Sequence, residues 1–331
     1  MPTVGFVHIY RKDPHQMPLT SAPEKLSPFR LADWTTLQLA RVEQALTRWV
    51  ACPQDAPAPA GLGDAMRYAV LDGGKRLRPL LVLAACEAVG GNPQAALRAA
   101  CAVELIHAYS LVHDDMPCMD NDVLRRGKPT VHIQFGEAQA LLAGDALQAL
   151  AFEFLTPDDD SVDAPTQARL CRMLAQAAGF QGMAGGQAID LASVGLALTS
   201  VQLHEMHRLK TGALLQASVM MGASCGPAPA SVRDALRDYG AAVGLAFQVI
   251  DDILDVTADS ATLGKTAGKD AAQDKPTFVS LMGLEASRQY AQELLARAFT
   301  SLSVIDASQH KGRHNTDALH ALADMLVNRG H

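Results

Sequence analysis

The amino-acid sequence predicts an all-α fold, a single-domain helical bundle, on three observations. Long Ala/Leu-rich segments repeat apolar residues at three- and four-residue spacing, the period of a helix with one buried face. Alternating Val/Ile/Thr runs, the mark of a half-buried strand, are scarce. Helix breakers gather in short stretches, none long enough to read as an interdomain linker.

In chain order, the pattern predicts helices over 31–50, 62–71, 80–89, 93–116, 138–154, 166–178, 200–224, 231–257, 277–301 and 316–328. Breakers bound them at 52–59, 90–93, 156–165, 226–229 and 308–315. A helix of about 20 residues covers about 30 Å, so several of these cross a whole domain. Residues 1–30, proline-punctuated and of mixed polarity, read as a flexible N-terminal extension, and 31–331 as one domain.

Composition narrows the function. At 49% hydrophobic residues, wholesale disorder is excluded. No run of about 18 apolar residues occurs, so no membrane span is expected. The 28 basic and 35 acidic residues leave a net charge of −7, the wrong sign for a general nucleic-acid binder. Cys52, Cys86, Cys101, Cys118, Cys171 and Cys225 form no C-x-x-C pair, so neither a zinc site nor a disulfide framework is expected. With no secretory signal read at the N-terminus, the expectation is a cytoplasmic protein with reduced thiols.

Two acidic motifs echo one another. LVHDDMPCMD (111–120) and FQVIDDILD (247–255) each place an Asp-Asp pair after an apolar helical stretch, with a third Asp following. In the second, Asp251 and Asp255 lie about 40° apart on one helix face, with Asp252 beside them. Their neighbours are apolar, so this is no solvated charge run, and a partly buried carboxylate cluster needs a cation. Oxygen ligands without His or Cys point to Mg²⁺ or a similar hard ion. In the first, Asp114 and Asp120 would stand about 120° apart on an unbroken helix. Pro117 prevents that helix, and a local bulge at 116–119 returns Asp120 toward Asp114. Two such ends face each other across a bundle.

The basic residues are placed to match. LDGGKRLRPLL (71–81) sets two glycines before Lys75, Arg76 and Arg78. Glycine permits close backbone approach, and a helix starting near Lys75 adds free N–H groups. With the arginine forks this makes a diphosphate-sized anion site. LRRGKPT (124–130) adds Arg125, Arg126 and Lys128 just after the first acidic motif. His107 shares a face with Asp114, and taken alone a core histidine is the plainer reading. The GKT at 264–266 is no P-loop, because Asp259 replaces its upstream glycine and a helix precedes it. His113-Asp114 lacks the further paired histidines of HD-type phosphohydrolases.

GGKRLRP, HDDMPCMDNDVLRRGKPT, GGQAIDL, KTGAL and FQVIDDILD occur in that order, and the chain from about residue 35 onward resembles the short-chain trans-polyprenyl diphosphate synthases, most closely the bacterial farnesyl-forming type. The resemblance implies an all-α bundle of the isoprenoid synthase type around a central cavity, usually a homodimer. The implied reaction condenses isopentenyl diphosphate with dimethylallyl and then geranyl diphosphate. Asp114, Asp120 and Asp251 match the metal ligands for three Mg²⁺, supported by Asp115, Asp252 and Asp255. Gly74, Lys75, Arg78, His107 and Arg126 match the isopentenyl diphosphate site. Arg125, Lys210, Lys265 and Lys275 match groups on the allylic diphosphate. Thr211 and Gln248 match polar residues near the reacting carbons, and Gln187 and Asp190 lie in the GGQ segment. Tyr109 and Ser110, with the Pro117-Cys118 insertion, match the positions that limit chain length, implying a C15 product. Tyr109 stands about 140° from Asp114 on a helical wheel, so it lines the pocket only if the pocket wraps around that helix.

The chemistry suits these residue types. Cations and Mg²⁺ stabilise the departing diphosphate, apolar walls shield the allylic cation, and no protein nucleophile is required. Departures from the family pattern are Asn121 and the Lys275-Pro276-Thr277-Phe278 segment. A terpene cyclase would lack GGKRLRP and carry a different second motif. A non-catalytic subunit would have lost acidic residues that are all retained here.

Overall fold

The computed structural model describes residues 29–51, 58–71, 73–196, 198–257, 276–308 and 315–328. The chain divides into two compact units, Met1–Arg30 and Leu31–His331, and the elements below belong to the second. In order they are α1 (Leu31–Trp49), α2 (Leu62–Leu71), α3 (Leu77–Ala88) and α4 (Pro93–Asp114). A two-residue hairpin follows, with β1 (Leu124–Arg125) antiparallel to β2 (Lys128–Pro129). Next come α5 (Val131–Phe135), α6 (Glu137–Leu155), α7 (Ala164–Ala178), α8 (Met183–Ala192) and α9 (Ser200–His207). A π-helical turn at Arg208–Gly212 leads into α10 (Ala213–Ala223). The remainder is α11 (Ala230–Thr257), α12 (Phe278–Met282), α13 (Leu284–Ser308) and α14 (Asp317–Val327).

α4 packs against α3 and α6, while α10 packs against α3 and α11, and α11 against α13. α4 starts sharply because Asn92 Oδ1 accepts from the amides of Gln94 and Ala95, and Pro93 takes the first helical position, where its missing N–H is not needed. Its small residues Ala95, Ala96, Ala99 and Ala100 are fully enclosed, which lets neighbouring helices approach closely. Leu105 and Ile106 are also fully buried, each worth about 2 kcal/mol in transfer terms. α4 is the one described helix long and apolar enough to cross a membrane, and 67% of that window is buried inside the protein.

Boundaries differ from expectation where a glycine, a proline or a tertiary contact intervenes. The span 277–301 is broken at Gly283, whose φ of 84° ends α12 before α13 begins. α4 stops at Asp114, two residues short of its expected end. α3 starts at Leu77, since Arg76 sits in the left-handed region at φ 46°. α8 was not anticipated, because Gly185 and Gly186 weaken its helical signal. The N-terminal extension falls almost wholly outside the described residues.

Candidate active site

The first acidic motif straddles the end of α4, whose last residue is Asp114. After Asp114 the chain turns through residues 116–119, and the Asp120 amide donates to the Asp114 carbonyl at 2.8 Å. The expected bulge is thus a turn past the helix terminus. Burial pushes the Asp114 carboxyl up to about 6; Lys210 opposes the shift and Asp120 adds to it. Asp115 points elsewhere. Its buried carboxylate receives Arg125 Nε at 2.8 Å on Oδ2 and Nη2 at 2.5 Å on Oδ1. Any part Asp115 plays in holding a cation therefore runs through that arginine.

The second motif lies inside α11. Asp251 is half-buried, whereas Asp252 and Asp255 are 2% and 4% exposed. Asp252 Oδ1 accepts from Gln248 Nε2 at 2.9 Å and Oδ2 from the Phe278 amide at 2.7 Å. Expected beside the cation, Asp252 instead docks the start of α12 onto α11. Thr211 Oγ1 donates to Gln248 Oε1 at 3.1 Å, so one hydrogen-bonded chain joins the π-turn, α11 and α12.

A cavity of about 400 Å³ opens beside the first motif, between α3, α4, α8 and the π-turn; none of the aspartates of the second motif is among its lining residues. Asp114, Arg78, His107, Gln187, Lys210 and Thr211 line it, and Tyr109 and Ser110 are on its wall. Its apolar lining comes from Leu111, Met119, Met183 and Leu191. Tyr109 reaches it despite the wheel angle, so the pocket does wrap around α4. The Tyr109 ring meets His113 edge-on with centroids 5.8 Å apart, and its hydroxyl bonds Gln148. His113 seats in a slot at Gly144, where a Cβ would lie 2.0 Å from its Nε2; that nitrogen is 3.1 Å from the Leu141 carbonyl.

The π-turn aims Lys210 and Thr211. It fits because α8 and α11 present glycines: a Cβ on Gly186 would lie 2.1 Å from Lys210 N, and one on Gly244 3.0 Å from Gly212 Cα. Lys210 Nζ rests on Asp190 Oδ2 at 2.5 Å. Behind the turn, His207 is 6% exposed and stacks on Phe278 at 5.3 Å. Its Nε2 is 4.0 Å from Asp252 Oδ2; burial, aided by the charge of Lys210, outweighs the pull of Asp190 and pushes the imidazole down to about 3, so it stays neutral.

The basic loop splits its residues between site and scaffold. Arg78 faces the cavity, its buried Nε without a hydrogen-bond partner among the described residues. Burial lowers its pKa, opposed by the charges of Glu104 and Asp251, so it lies within electrostatic reach of the second motif. Arg76, expected in the anion site, is instead 4% exposed and paired with Glu104 at 2.6 Å and Glu43 at 2.7 Å; it also donates to the Val70 carbonyl. Lys75 precedes α3 and is exposed, so the expected helix start comes two residues later. Gly74 makes room for a side chain: at φ 130°, its Cβ would lie 2.9 Å from the Arg126 guanidinium, which donates to the Gly73 carbonyl. His107 is held well below the usual histidine range, by burial first and then by Arg78, Arg126 and Arg125. Ser110 Oγ is turned onto the His107 carbonyl at 2.9 Å. Lys265 and Lys275 lie outside the described residues.

Glu43, Glu104, Gly144 and His207 went unnoticed in the sequence, and Gly186 figured only as part of the GGQ segment. Only an apolar helix carrying an unexplained Glu104 offered a signal. The donor set suits a hard cation shared with phosphate. The Asp114 carboxylate faces a cavity that also holds a buried Arg78 Nε and Gln187 Nε2 without hydrogen-bond partners among the described residues. Among the described residues no three acidic, His or Cys side chains close on one point. A cation taking several ligands from phosphate and water needs no such protein cage.

Fold and site together define an all-α enzyme that handles diphosphates. Residues 59–310 match the Polyprenyl synthetase family, and the chain belongs to it. Among its relatives is a probable farnesyl diphosphate synthase of Sinorhizobium fredii, 54% identical over 80% of each chain. The large subunit 1 of a chloroplastic heterodimeric geranylgeranyl pyrophosphate synthase from Arabidopsis thaliana is 50% identical over 76% of this chain and 69% of its own. A Helicobacter pylori geranyltransferase, solved in complex with magnesium and isoprenyl diphosphate, superposes with a TM-score of 0.76 at 33% identity, covering 92% of this chain and 98% of its own. The expected all-α fold and prenyl-chain elongation with isopentenyl diphosphate are borne out, and the family is magnesium-dependent.

Proposed function

We propose that this chain makes farnesyl diphosphate (C15), adding isopentenyl diphosphate to dimethylallyl and then to geranyl diphosphate. The observation that carries the reading is the shared cavity: Asp114, Lys210 and Arg78 stand over an apolar pocket that reaches Tyr109. Asp114, Asp120 and Asp251 would hold three Mg²⁺ with the allylic diphosphate. Bound there, the metal supplies Lewis-acid stabilisation of the departing diphosphate.

Lys210, Arg125, Lys265 and Lys275 bind and neutralise the allylic diphosphate. Lys75, Arg78, Arg126 and His107 hold isopentenyl diphosphate, with Gly74 setting Arg126. His107 does so as a neutral donor. Asp115 aims Arg125, Asp190 aims Lys210, and Asp252 with Asp255 shapes the second motif. Thr211, Gln248 and Gln187 place polar atoms beside the reacting carbons, and the apolar wall excludes water from the allylic cation. The isopentenyl double bond attacks that cation, and the proton is lost to the released diphosphate.

The working protein is read as a cytoplasmic homodimer of the domain 31–331, with exposed Ile133, Leu141 and Leu142 supplying apolar surface for association. A C20 product is the second reading, favoured by the geranylgeranyl relative. An assay with radiolabelled isopentenyl diphosphate, each allylic primer and added or chelated Mg²⁺ tests the proposal. The expected result is metal-dependent C15; metal-independent turnover or a C20 main product would overturn it.

A further inference from the structure

Two helices leave the cavity together and meet again at a pair of thiols. α3 carries Arg78 at its start and Cys86 near its end; eight residues of helix set them about 12 Å apart along its axis. α10 follows the π-turn that holds Lys210 and Thr211, and Cys225 comes just after its end. The two helices pack backbone to side chain, since a Cβ on Gly222 would lie 2.1 Å from the Val82 carbonyl oxygen.

At the far end the turn over 90–92 binds both cysteines. Gly91 N donates to the Cys86 carbonyl at 2.9 Å and Asn92 N to the Cys225 carbonyl at 2.8 Å. A Cβ on Gly91 would lie 2.9 Å from Cys86 Sγ and 2.9 Å from the Cys225 carbonyl carbon, so one bare glycine separates the two residues. Cys86 Sγ donates to the Asn92 carbonyl at 3.6 Å and Cys225 Sγ to the Met221 carbonyl at 3.2 Å, and the two thiols lie close enough to shift one another's titration. Both are buried, at 4% and 7% exposure, and neither reaches the cavity. Nothing in prenyl transfer uses them.

We propose that Cys86 and Cys225 form an oxidisable pair, closed to a disulfide by a small peroxide and stapling α3 to α10 at the end remote from the site. The Cys86 thiolate attacks a peroxide oxygen, giving a sulfenic acid and, for hydrogen peroxide, one water. Cys225 sulfur then attacks the Cys86 sulfur, loses its proton and expels a second water. Two thiols and one peroxide thus become one disulfide and two waters. The proximity of the two thiols favours Cys86 as the attacking sulfur: it lowers the Cys86 thiol against the opposing effect of burial and raises that of Cys225.

The full chain is exposed to hydrogen peroxide, the remaining thiols are blocked, and the protein is digested without reduction. The expected result is a peptide pair joining Cys86 to Cys225 and lighter by two hydrogens. The staple closes a long loop, so the thermal midpoint should rise by about 5 °C and fall back on reduction. Turnover should stay within about twofold, since the cavity is untouched. Cys118→Ser should retain the shift, whereas Cys86→Ala and Cys225→Ala should each lose it. The direct peptide measurement on the unaltered chain covers the case in which a buried substitution prevents folding. Cys86 and Cys225 remaining open to alkylation while exposed Cys118 is consumed would overturn the proposal, as would a cross-link through Cys101 or Cys171 instead.

Discussion

The two acidic motifs look like copies in sequence, yet the structure builds them differently. The first straddles the end of α4, with Asp114 its last residue and Asp120 beyond a turn that holds Pro117; the second lies within α11, which continues to Thr257. In both, the first Asp is the half-buried one and the second is taken up by the scaffold. Its partner differs: Asp115 is clamped by a charged arginine, Asp252 by two neutral N–H donors. A helix end leaves room for a mobile side chain from the following hairpin, so charge does the fixing. A helix interior presents only its own neighbours and whatever packs on it, so amides do.

The largest effects test what the motifs share. Asp114→Asn and Asp251→Asn should each lower turnover about 10³-fold with unchanged circular dichroism, because a developing negative charge loses its counter-ion. Near-normal turnover in either would break the pairing of the motifs. Asp114→Asn should also stabilise the metal-free protein at pH 7. A carboxyl raised to about 6 in the fold contributes most stability below about 4 and loses it as pH rises through 6, so at pH 7 its removal gains about 2 kcal/mol.

The second residues should separate the motifs. Asp115→Asn leaves the partly buried Arg125 without its counter-charge and should cost about 3 kcal/mol in denaturant unfolding. Asp252→Asn should cost only about 1 kcal/mol, because the Gln248 amide can turn over and the Thr211 hydroxyl can rotate to accept. Equal losses would show that the ionic and the neutral clamp are not different devices.

The same contrast explains what was legible beforehand. The helical placement of DDILD is legible because α11 runs through it unbroken, whereas the docking of Asp252 on the Phe278 amide, 26 positions away, is not. Arg76 and Arg78 cannot be told apart in sequence, since Glu43 and Glu104 arrive from 33 and 28 positions away. The π-turn is invisible because HRLKTGALL keeps a helical period; its extra residue is accommodated only by Gly186 and Gly244 on other helices. α8 hides behind two glycines whose purpose is tertiary.

Around the second motif, His207 supplies a pH test of intermediate size. Its folded value of about 3 lies below the ordinary 6.5, so the neutral ring's contribution is full above 6.5 and is lost as pH falls toward 3. Unfolding midpoints should drop by the equivalent of about 2 kcal/mol between pH 7 and pH 4.5. His207→Phe, which keeps a ring against Phe278, should flatten that limb. A variant with the same acid limb as the unaltered chain would show that His207 already carries its proton in the fold.

The smallest expected energy change belongs to Tyr109, five residues before the first motif, and it reads out as product length. Its ring crosses the cavity wall between His113 and the Gln148 hydroxyl contact, and His113 is itself fixed in the Gly144 slot, so the ring has little freedom to retreat. A further isoprene unit must take the volume the ring occupies. Each buried methylene is worth about 0.8 kcal/mol, so opening that volume should be enough to favour a C20 chain over release at C15. Tyr109→Ala should therefore shift chromatographic product from C15 toward C20 with turnover reduced less than about tenfold. Gln148→Ala, which frees the hydroxyl but leaves the ring, should shift it less. An unchanged C15 profile in Tyr109→Ala would place the limit elsewhere on the wall and leave the helix-end motif without a part in chain length.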